Sequence, residues 1–339
     1  MRHPARLGLG LALPLALALT ATACAGSAST DRPDKAAAQS TVVSCGRTLS
    51  FDRPPERAVA LDQSSTEVLL ELGLEDRMAG TSNLKTKIAP EYADAYAKVP
   101  VLAPKILTGE QLRAAAPDVA VAGFTDYFTK DQVGTREELA GLGLPSYVSA
   151  VDCPKESAGR AAGPFDRLFS DYENLGEVFG VPDRAKKLVG EQRAALKRAA
   201  KVADRVESEP TVVWVYSVYG DAPYVAGKSA MPSEMSRVVG AKNAFDDVDE
   251  DWPAVSWEEV AKRNPDFIVV GDLSERGKPG DSAADKLRAI KANPVMSQLD
   301  AVVDGRFVEI PGTEMDPSVR TVSALPRLTD AMKKLGYVR

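Results

Sequence analysis

Histidine is almost absent from this sequence of 339 residues: the only one is His3. A Ser–His–Asp or Cys–His catalytic arrangement requires a histidine, so the remaining chain lacks the residue on which these enzymes depend. The same absence excludes histidine-rich zinc or manganese sites and a histidine ligand to haem iron or cobalt. We therefore expect no catalytic residue, no protein metal ligand and no resident cofactor, and predict that the chain is not an enzyme.

Neither sign of charge dominates the sequence. It contains 42 Lys and Arg and 48 Asp and Glu, with a net charge of −6 and the two signs interspersed. No basic face is available for nucleic acid, which excludes that class of partner. The chain is long enough for two domains with their own cores, and we expect a monomer.

A long apolar run is also missing, apart from Leu7–Leu19 near the N-terminus. That run is too short for a comfortable membrane span, so residues 1–23 indicate an export signal. The following Cys24 lies where a bacterial lipoprotein signal places the cysteine that takes the lipid. Ala21 occupies the position where Leu is usual, so an ordinary cleaved signal peptide is the alternative. Residues 24–40 have almost nothing to bury and are predicted to be a disordered tether.

Two more cysteines occur later in the sequence. Cys45 and Cys153 form an even pair in a chain that we expect to be exported, where thiols oxidise. The bond would close a loop of about 100 residues, worth up to about 4.7 kcal/mol in the chain-entropy model. The alternative is a pair of buried free thiols.

Strand and helix patterns alternate in two halves of the chain, which predicts an α/β fold with parallel sheets. We assign an N-terminal lobe to residues 41–160 and a C-terminal lobe to residues 209–339. Apolar residues recur at helical spacing from Pro164 to about Val206, so bridging helices are predicted over residues 161–208. We expect this stretch to be a stiff strut between the lobes, with a cleft between them.

Several segments resemble a known family in their order and spacing. They are Arg57–Leu61, Thr66–Gly73, the two Pro-Asp strands that begin at Pro117 and Pro265, Val239–Phe245 and Trp257–Val260. This pattern is similar to the solute-binding lipoproteins of ABC importers for iron–siderophore complexes, haem and cobalamin. These are the class III, or helical-backbone, periplasmic binding proteins, and the similarity runs from about residue 41 to the C-terminus.

The resemblance implies two Rossmann-like lobes bridged by a long helix, with cargo held between them. It implies partners as well: a metal chelate as ligand, an ABC permease, and the cell membrane through the lipid anchor. It further implies that one glutamate on each lobe docks onto the permease. Glu67 matches the first position, and Glu234 substitutes for the second because Arg237 occupies the usual place. Taken alone, each is only an acidic residue on an exposed helix face.

The candidate ligand-binding residues follow the carboxyl ends of predicted strands, where open α/β sheets bind ligands. Tyrosine and tryptophan can stack on a flat or chelated ligand while donating hydrogen bonds. Lys85, Lys228, Arg276 and Arg320 are candidates for an anionic cargo. The predicted ligand-binding set is Asp62, Gln63, Ser64, Ser82, Asn83, Phe124, Tyr127, Tyr216, Tyr219, Tyr224, Trp252, Asp272 and Glu314.

The predicted function is therefore capture and release of a bulky metal chelate by a lipoprotein outside the cytoplasm, with an iron–siderophore complex first. Cobalamin, haem held by tyrosine and a deazaflavin-like cofactor precursor are alternatives within the same family. A chelatase-like enzyme and a sensor lipoprotein without a permease are the alternatives from other classes.

Overall fold

The computed structural model describes residues 39–153 and 163–339. The predicted export signal, Cys24 and nearly all of the predicted tether lie outside the described residues. No helix within the described ranges is long and apolar enough to cross a membrane.

Twelve strands occur in the described part of the chain. They are β1 (Ser40–Ser44), β2 (Arg47–Phe51), β3 (Ala58–Ala60), β4 (Met78–Ser82), β5 (Val101–Ala103), β6 (Val119–Ala122), β7 (Ser146–Val148), β8 (Thr211–Tyr219), β9 (Ala222–Val225), β10 (Lys242–Asn243), β11 (Phe267–Asp272) and β12 (Phe307–Pro311).

The α-helices of the described residues alternate with these strands. They are α1 (Gln63–Glu71), α2 (Ala93–Tyr96), α3 (Gly109–Ala114), α4 (Arg136–Gly141), α5 (Pro164–Val178), α6 (Pro182–Ala203), α7 (Met231–Val238), α8 (Trp257–Arg263), α9 (Ala283–Ala292), α10 (Asp300–Val303) and α11 (Thr321–Lys334).

Each lobe contains one five-stranded sheet, as the alternation of patterns predicts. The N-terminal sheet has the order β5-β4-β3-β6-β7 and is parallel throughout. The C-terminal sheet has the parallel order β10-β8-β11-β12, and β9 pairs antiparallel with β8. The expected α/β architecture of two lobes is thus confirmed, and the carboxyl ends of both sheets are available for a ligand site.

Alternating side chains on the central strands separate three apolar clusters. In β8, Val212 and Trp214 belong to the largest cluster, whereas Val213 and Val215 belong to a cluster confined to the C-terminal lobe. A third cluster, which includes Val59 of β3, is confined to the N-terminal lobe. The largest cluster also takes in α5, α6 and α11, so one continuous core joins the inner faces of both sheets.

The predicted bridging helices form a pair, α5 and α6, with a break between them. Helix α5 ends at a Schellman motif, in which Val181 N–H donates to the Gly176 carbonyl and Gly180 N–H donates to the Glu177 carbonyl. Gly180 has φ +65°, a left-handed conformation that glycine adopts at little cost, and Pro182 then begins α6. The two helices are therefore separate elements.

The two helices fold back against each other. An added Cβ at Gly176 would lie 2.4 Å from the Cβ of Ala185, and Asp166 forms an ion pair of 2.9 Å with Arg193 at the far end. Helix α6 contacts both lobes. Its Arg184 donates to the Leu72 carbonyl at 2.9 Å in the N-terminal lobe, and its last turn contacts Gly240 in the C-terminal lobe.

A disulfide joins Cys45 and Cys153, which confirms the predicted pairing, with Cα atoms 5.1 Å apart. Cys45 lies in the turn of the β1–β2 hairpin, and Cys153 follows β7, so the bond ties this hairpin to the edge of the N-terminal sheet. Arg136 reinforces the same connection by donating to the carbonyl groups of Ser44 and Ser146.

Three local features differ from the sequence pattern. The pattern predicts a helix over residues 130–142, but α4 begins only at Arg136, because Thr135 caps it and Gly134 has φ +105°. No pattern indicated β9, which follows a tight turn at Gly220. The spacing of Ser256 and Glu259 predicts a capping box, but only half of it forms: Ser256 caps α8, whereas the Glu259 carboxylate accepts from Arg263.

Candidate functional site

A cavity of about 540 Å³ opens between the two lobes; we call it the cleft cavity. The N-terminal lobe contributes the loops after β4, β5 and β6, and the C-terminal lobe contributes the β8–β9 hairpin and the loop after β11. Its lining residues are Asn83, Lys85, Pro104, Lys105, Ile106, Tyr127, Gln132, Tyr216, Ser217, Tyr219, Tyr224, Trp252, Arg276 and Lys278.

Aromatic rings form one wall of the cleft cavity. The rings of Tyr216 and Trp252 lie 4.4 Å apart between centroids, with an interplanar angle of 30°. Tyr219 and Tyr224 meet edge to face at 5.3 Å, one on each strand of the β8–β9 hairpin. The hairpin that the sequence did not reveal is therefore the element that positions half of this wall.

On the opposite side, Asn83 and Tyr127 belong to the N-terminal lobe. Asn83 has φ +53°, a left-handed conformation that asparagine tolerates better than most residues. Its amide donates to the Tyr127 hydroxyl at 2.7 Å, which orients the phenol at the cavity. Burial raises the pKa of Tyr127 well above its ordinary value, so the hydroxyl stays neutral and can donate to a ligand.

Lys85 connects the two lobes at the cavity. Its ammonium lies 3.1 Å from a carboxylate oxygen of Asp316, 4.5 Å from the Phe124 ring centroid and 5.7 Å from that of Tyr216. Burial is the largest single effect and lowers the pKa of Lys85, but the surrounding acidic groups, Asp316 first, together outweigh it and raise the pKa well above its usual range. A permanent positive charge therefore borders the cavity.

The loop after β11 carries two further cations to the cavity mouth. Arg276 and Lys278 lie 5.4 Å and 5.3 Å from the Tyr219 ring centroid. Arg276 is also held by the buried Asp281 at 3.2 Å. Behind it, the buried Lys286 donates to the carbonyl groups of Gly271 and Asp281 at 2.6 and 2.7 Å, and so fixes both ends of the loop.

Of the predicted ligand-binding residues, six line the cleft cavity: Asn83, Tyr127, Tyr216, Tyr219, Tyr224 and Trp252. Phe124 lies beneath Lys85 and lines a neighbouring cavity instead. Contact of these residues with a ligand stays a prediction.

The polar residues around the start of α1 do not reach the cleft cavity. Asp62 is fully buried, caps α1 at Ser65 N–H and accepts from Gly123 N–H at 2.6 Å. Gln63, Ser64 and Ser82 are also buried; Gln63 accepts from the Lys85 and Thr86 N–H groups. These residues were selected because ligands bind at strand ends, but in the fold their side chains cap a helix or anchor a loop instead.

The side chains of Asp272 and Glu314 are likewise held by contacts within the protein. The Asp272 carboxylate accepts from Ala283 N–H at 2.9 Å and from the Ser274 hydroxyl at 2.7 Å, which shapes the loop ahead of α9. Glu314 is buried and forms ion pairs with Arg327 at 3.3 Å and Arg320 at 3.9 Å. Neither residue lines the cleft cavity.

The two glutamates predicted to dock onto a permease occupy different settings. Glu67 is fully buried, pairs with Arg320 at 3.3 Å and accepts from the Gln63 amide at 2.9 Å. In this conformation its carboxylate does not reach the surface, contrary to the exposed helix face that we expected. Glu234 lies on α7, forms an ion pair with Arg237 and lines a surface cavity. Their docking role stays a prediction.

Polar contacts that join the lobes run beside the cleft cavity. Besides the Lys85–Asp316 and Glu67–Arg320 pairs, the Thr86 and Thr313 hydroxyls lie 3.1 Å apart.

Lys85 and Arg276 were identified from the sequence, whereas Lys105, Lys278, Ser217 and Asp316 were missed. Lys105 lies two residues after the end of β5, so the strand-end rule that selected the tyrosines could also have found it.

Two known proteins match most of this chain. A cobalamin-binding protein of Halobacterium salinarum is 25% identical over 287 residues, 84% of this chain and 71% of its own length. An uncharacterized ABC transporter substrate-binding lipoprotein of Bacillus subtilis (strain 168) is 25% identical over 314 residues, 90% of this chain and 89% of its own.

A solved structure has the same fold. The crystal structure of an ABC-type Fe³⁺-hydroxamate transport system from Saccharomonospora viridis DSM 43017 superposes with a TM-score of 0.71 at 25% identity. The match covers 86% of this chain and 98% of that chain.

The sequence profile described as Periplasmic binding protein matches residues 59–313, which include both sheets almost completely and the cleft cavity between them. Proteins of this kind bind a solute between two lobes and carry out no covalent chemistry. With its two parallel sheets, its bridging helix α6 and a cavity lined from both lobes, the chain belongs to the periplasmic binding protein family.

Proposed function

We propose that this chain is the substrate-binding lipoprotein of an ABC importer, and that it captures an iron–siderophore chelate outside the cytoplasm for delivery to the permease. The observation that carries the proposal is the lining of the cleft cavity. It combines four aromatic side chains of one lobe with lysines and an arginine, and none of its lining residues is a carboxylate or a histidine.

The chemistry of a ferric siderophore fits this lining. Its iron is already fully coordinated by the chelator, so the receptor needs shape, stacking and charge complementarity and no side-chain metal ligand. Among the described residues, no group of three or more His, Cys, Asp or Glu is arranged to hold a metal ion. The similar structure from Saccharomonospora viridis belongs to an Fe³⁺-hydroxamate transport system, which supports the same class of ligand.

Cobalamin is the second candidate, because the Halobacterium salinarum relative is a cobalamin-binding protein. Haem held by a tyrosine, or another cofactor-like molecule, belongs to the same alternative. Haem iron and corrin cobalt leave axial positions that histidine commonly fills, and this chain has no histidine after His3. That absence favours the siderophore over these cargoes.

Tryptophan fluorescence tests the assignment directly. Trp252 borders the cavity, whereas Trp214 is buried in the core and Trp257 packs in the C-terminal cluster. Ferric chelates should quench the fluorescence saturably, and Trp252→Phe should remove most of the change while the matched Trp257→Phe variant retains it. Truncation of Tyr216 to Ala should weaken binding by about 1–3 kcal/mol, the cost of losing one buried aromatic contact.

The opposite result would be binding of cobalamin or haemin with no binding of any ferric chelate. That outcome would refute the siderophore assignment and favour the second candidate.

Membrane anchoring and docking are separate parts of the proposal. If Cys24 carries the lipid, a Cys24→Ser variant should leave the membrane fraction and lose incorporation of labelled palmitate; unchanged fractionation would contradict the anchor. For docking, Glu234→Arg should abolish uptake while cargo affinity changes by less than about twofold, because the two surfaces differ. Glu67→Arg requires a melting curve alongside, since this residue pairs with Arg320 in the interior.

A further inference from the structure

The charges around the cleft cavity point to one class of siderophore. We infer that the cavity selects ferric chelates that are negatively charged and carry aryl rings, as a tris-catecholate does, over neutral or cationic hydroxamate chelates. The inference rests on the proposed function, because it assumes that the cargo is a ferric chelate.

Four cations border the cavity, two from each lobe. Lys85 and Lys105 lie on the N-terminal lobe, and Arg276 and Lys278 lie on the C-terminal lobe. A ligand between the lobes would therefore meet positive charge on both sides. None of the residues that line the cavity is Asp or Glu, so the lining has no carboxylate to attract a cationic chelate.

The counterions of these groups leave a positive excess. Asp316 pairs with Lys85 and Asp281 pairs with Arg276; both carboxylates are 1% exposed and neither lines the cavity. Within the described ranges, Lys105 and Lys278 have no carboxylate within ion-pair distance. Two lysines without an ion-pair partner among the described residues, one on each lobe, therefore stand at the cavity mouth and favour an anionic ligand.

The aromatic wall adds preference for a flat ring. Tyr216 packs against Trp252, and Tyr219 meets Tyr224 edge to face. All four side chains line the cavity, where a planar group would contact them. Catecholate rings can stack there, whereas hydroxamate groups carry no ring for such contact. The cations beside Tyr219 lie close enough to bind the phenolate oxygens of a stacked catecholate.

The test compares chelates of different charge and ring content by titration calorimetry. The probes are ferric enterobactin, an anionic tris-catecholate; ferric dicitrate, anionic without aryl rings; ferrichrome, a neutral hydroxamate; and ferrioxamine B, a cationic hydroxamate. Ferric enterobactin should bind at least about tenfold more tightly than either hydroxamate, and its affinity should fall as salt is raised. Ferric dicitrate should be intermediate.

Variants at the cavity mouth separate the effect of charge on affinity from an effect on folding. Lys105→Gln and Lys278→Gln should each reduce the affinity for ferric enterobactin by about two- to fivefold, the range for one exposed charge, and leave ferrichrome unchanged. The matched control is Lys187→Gln, whose side chain is 78% exposed on α6 and does not line the cavity. This control should change neither affinity.

Different failures refute different statements. If ferrioxamine B or ferrichrome binds as tightly as ferric enterobactin, the inferred selectivity is wrong but the proposed function stands. Equal binding of ferric dicitrate and ferric enterobactin would refute the role of the aryl rings. If no ferric chelate binds and cobalamin or haemin does, the proposed function itself is refuted.

Discussion

Replacing Lys85 with methionine should destabilise the protein, because Lys85 is the partner of a buried carboxylate on the other lobe. Asp316 is 1% exposed, and one of its carboxylate oxygens already lacks a hydrogen-bond partner among the described residues. Without Lys85, the other oxygen would keep only the Tyr216 hydroxyl, at 3.4 Å. The Lys85→Met variant therefore leaves a charge buried between the lobes with little compensation.

The size of the effect follows from this burial. Removing one partner of a buried ion pair costs about 3–5 kcal/mol, and we expect the lower end because the Lys85 side chain is 12% exposed and water can reach the vacated space. With an unfolding entropy of about 2.1 cal/mol/K per residue over about 300 residues, a loss of 3 kcal/mol lowers the melting temperature by about 5 °C.

A double-mutant cycle provides the assay. Thermal melts of Lys85→Met, Asp316→Asn and the double variant should show that the double variant is more stable than Lys85→Met alone, because it has no unpaired buried charge. Lys187→Gln is the control for loss of an exposed lysine. If Lys85→Met melts within about a degree of the parent, or the double variant is no more stable than Lys85→Met, the reasoning is refuted.

Three further predictions test other parts of the fold. Replacing Cys45 and Cys153 with serine opens a loop with a sequence separation of 108 residues, which should cost up to about 4.7 kcal/mol and lower the melting temperature by about 7 °C; an unchanged melt would contradict this. Gly176→Ala places a methyl group 2.4 Å from the Cβ of Ala185. It should destabilise the α5–α6 pair by about 1–3 kcal/mol in urea titrations, which is more than the stabilisation expected from the higher helix propensity of alanine. A variant more stable than the parent would refute the close packing. Burial raises the pKa of Asp171 from 3.8 to about 6, so the stability from its protonated form is present below pH 3.8 and lost as the pH rises through 6. Asp171→Asn should remove that decline in the free energy of unfolding, and an unaltered pH profile would contradict the shift.

Local signals in the sequence predicted most of the secondary structure. Ser256 caps the helix that follows it, and Gly73 with φ +65° follows the end of α1. These groups act on neighbouring backbone atoms, so their effect is readable without knowing the fold. The helix break at Gly180 is equally local, and Pro182 marks the start of the second helix.

The candidate site was predictable in part. The tyrosines and Trp252 were found because they follow strand ends, and the fold brings those ends together at one cleft. The same rule also selected Asp62, Gln63 and Ser64, which the fold buries beneath that edge. Whether a polar group at a strand end points to solvent or caps a helix depends on what packs above it.

The sequence by itself determined the alternation of strands and helices, the pairing of its two internal cysteines and the absence of histidine chemistry, because each depends on residue identity and near-neighbour spacing. Only the tertiary structure decided that Glu67 is buried against Arg320, 253 residues away, and that Lys85 meets Asp316, 231 residues away. It likewise decided that Lys105 and Lys278 border one cavity from opposite lobes. Such contacts arise when α6 and the shared core bring two separately formed sheets together, and no local pattern encodes the distance between side chains so far apart in the chain.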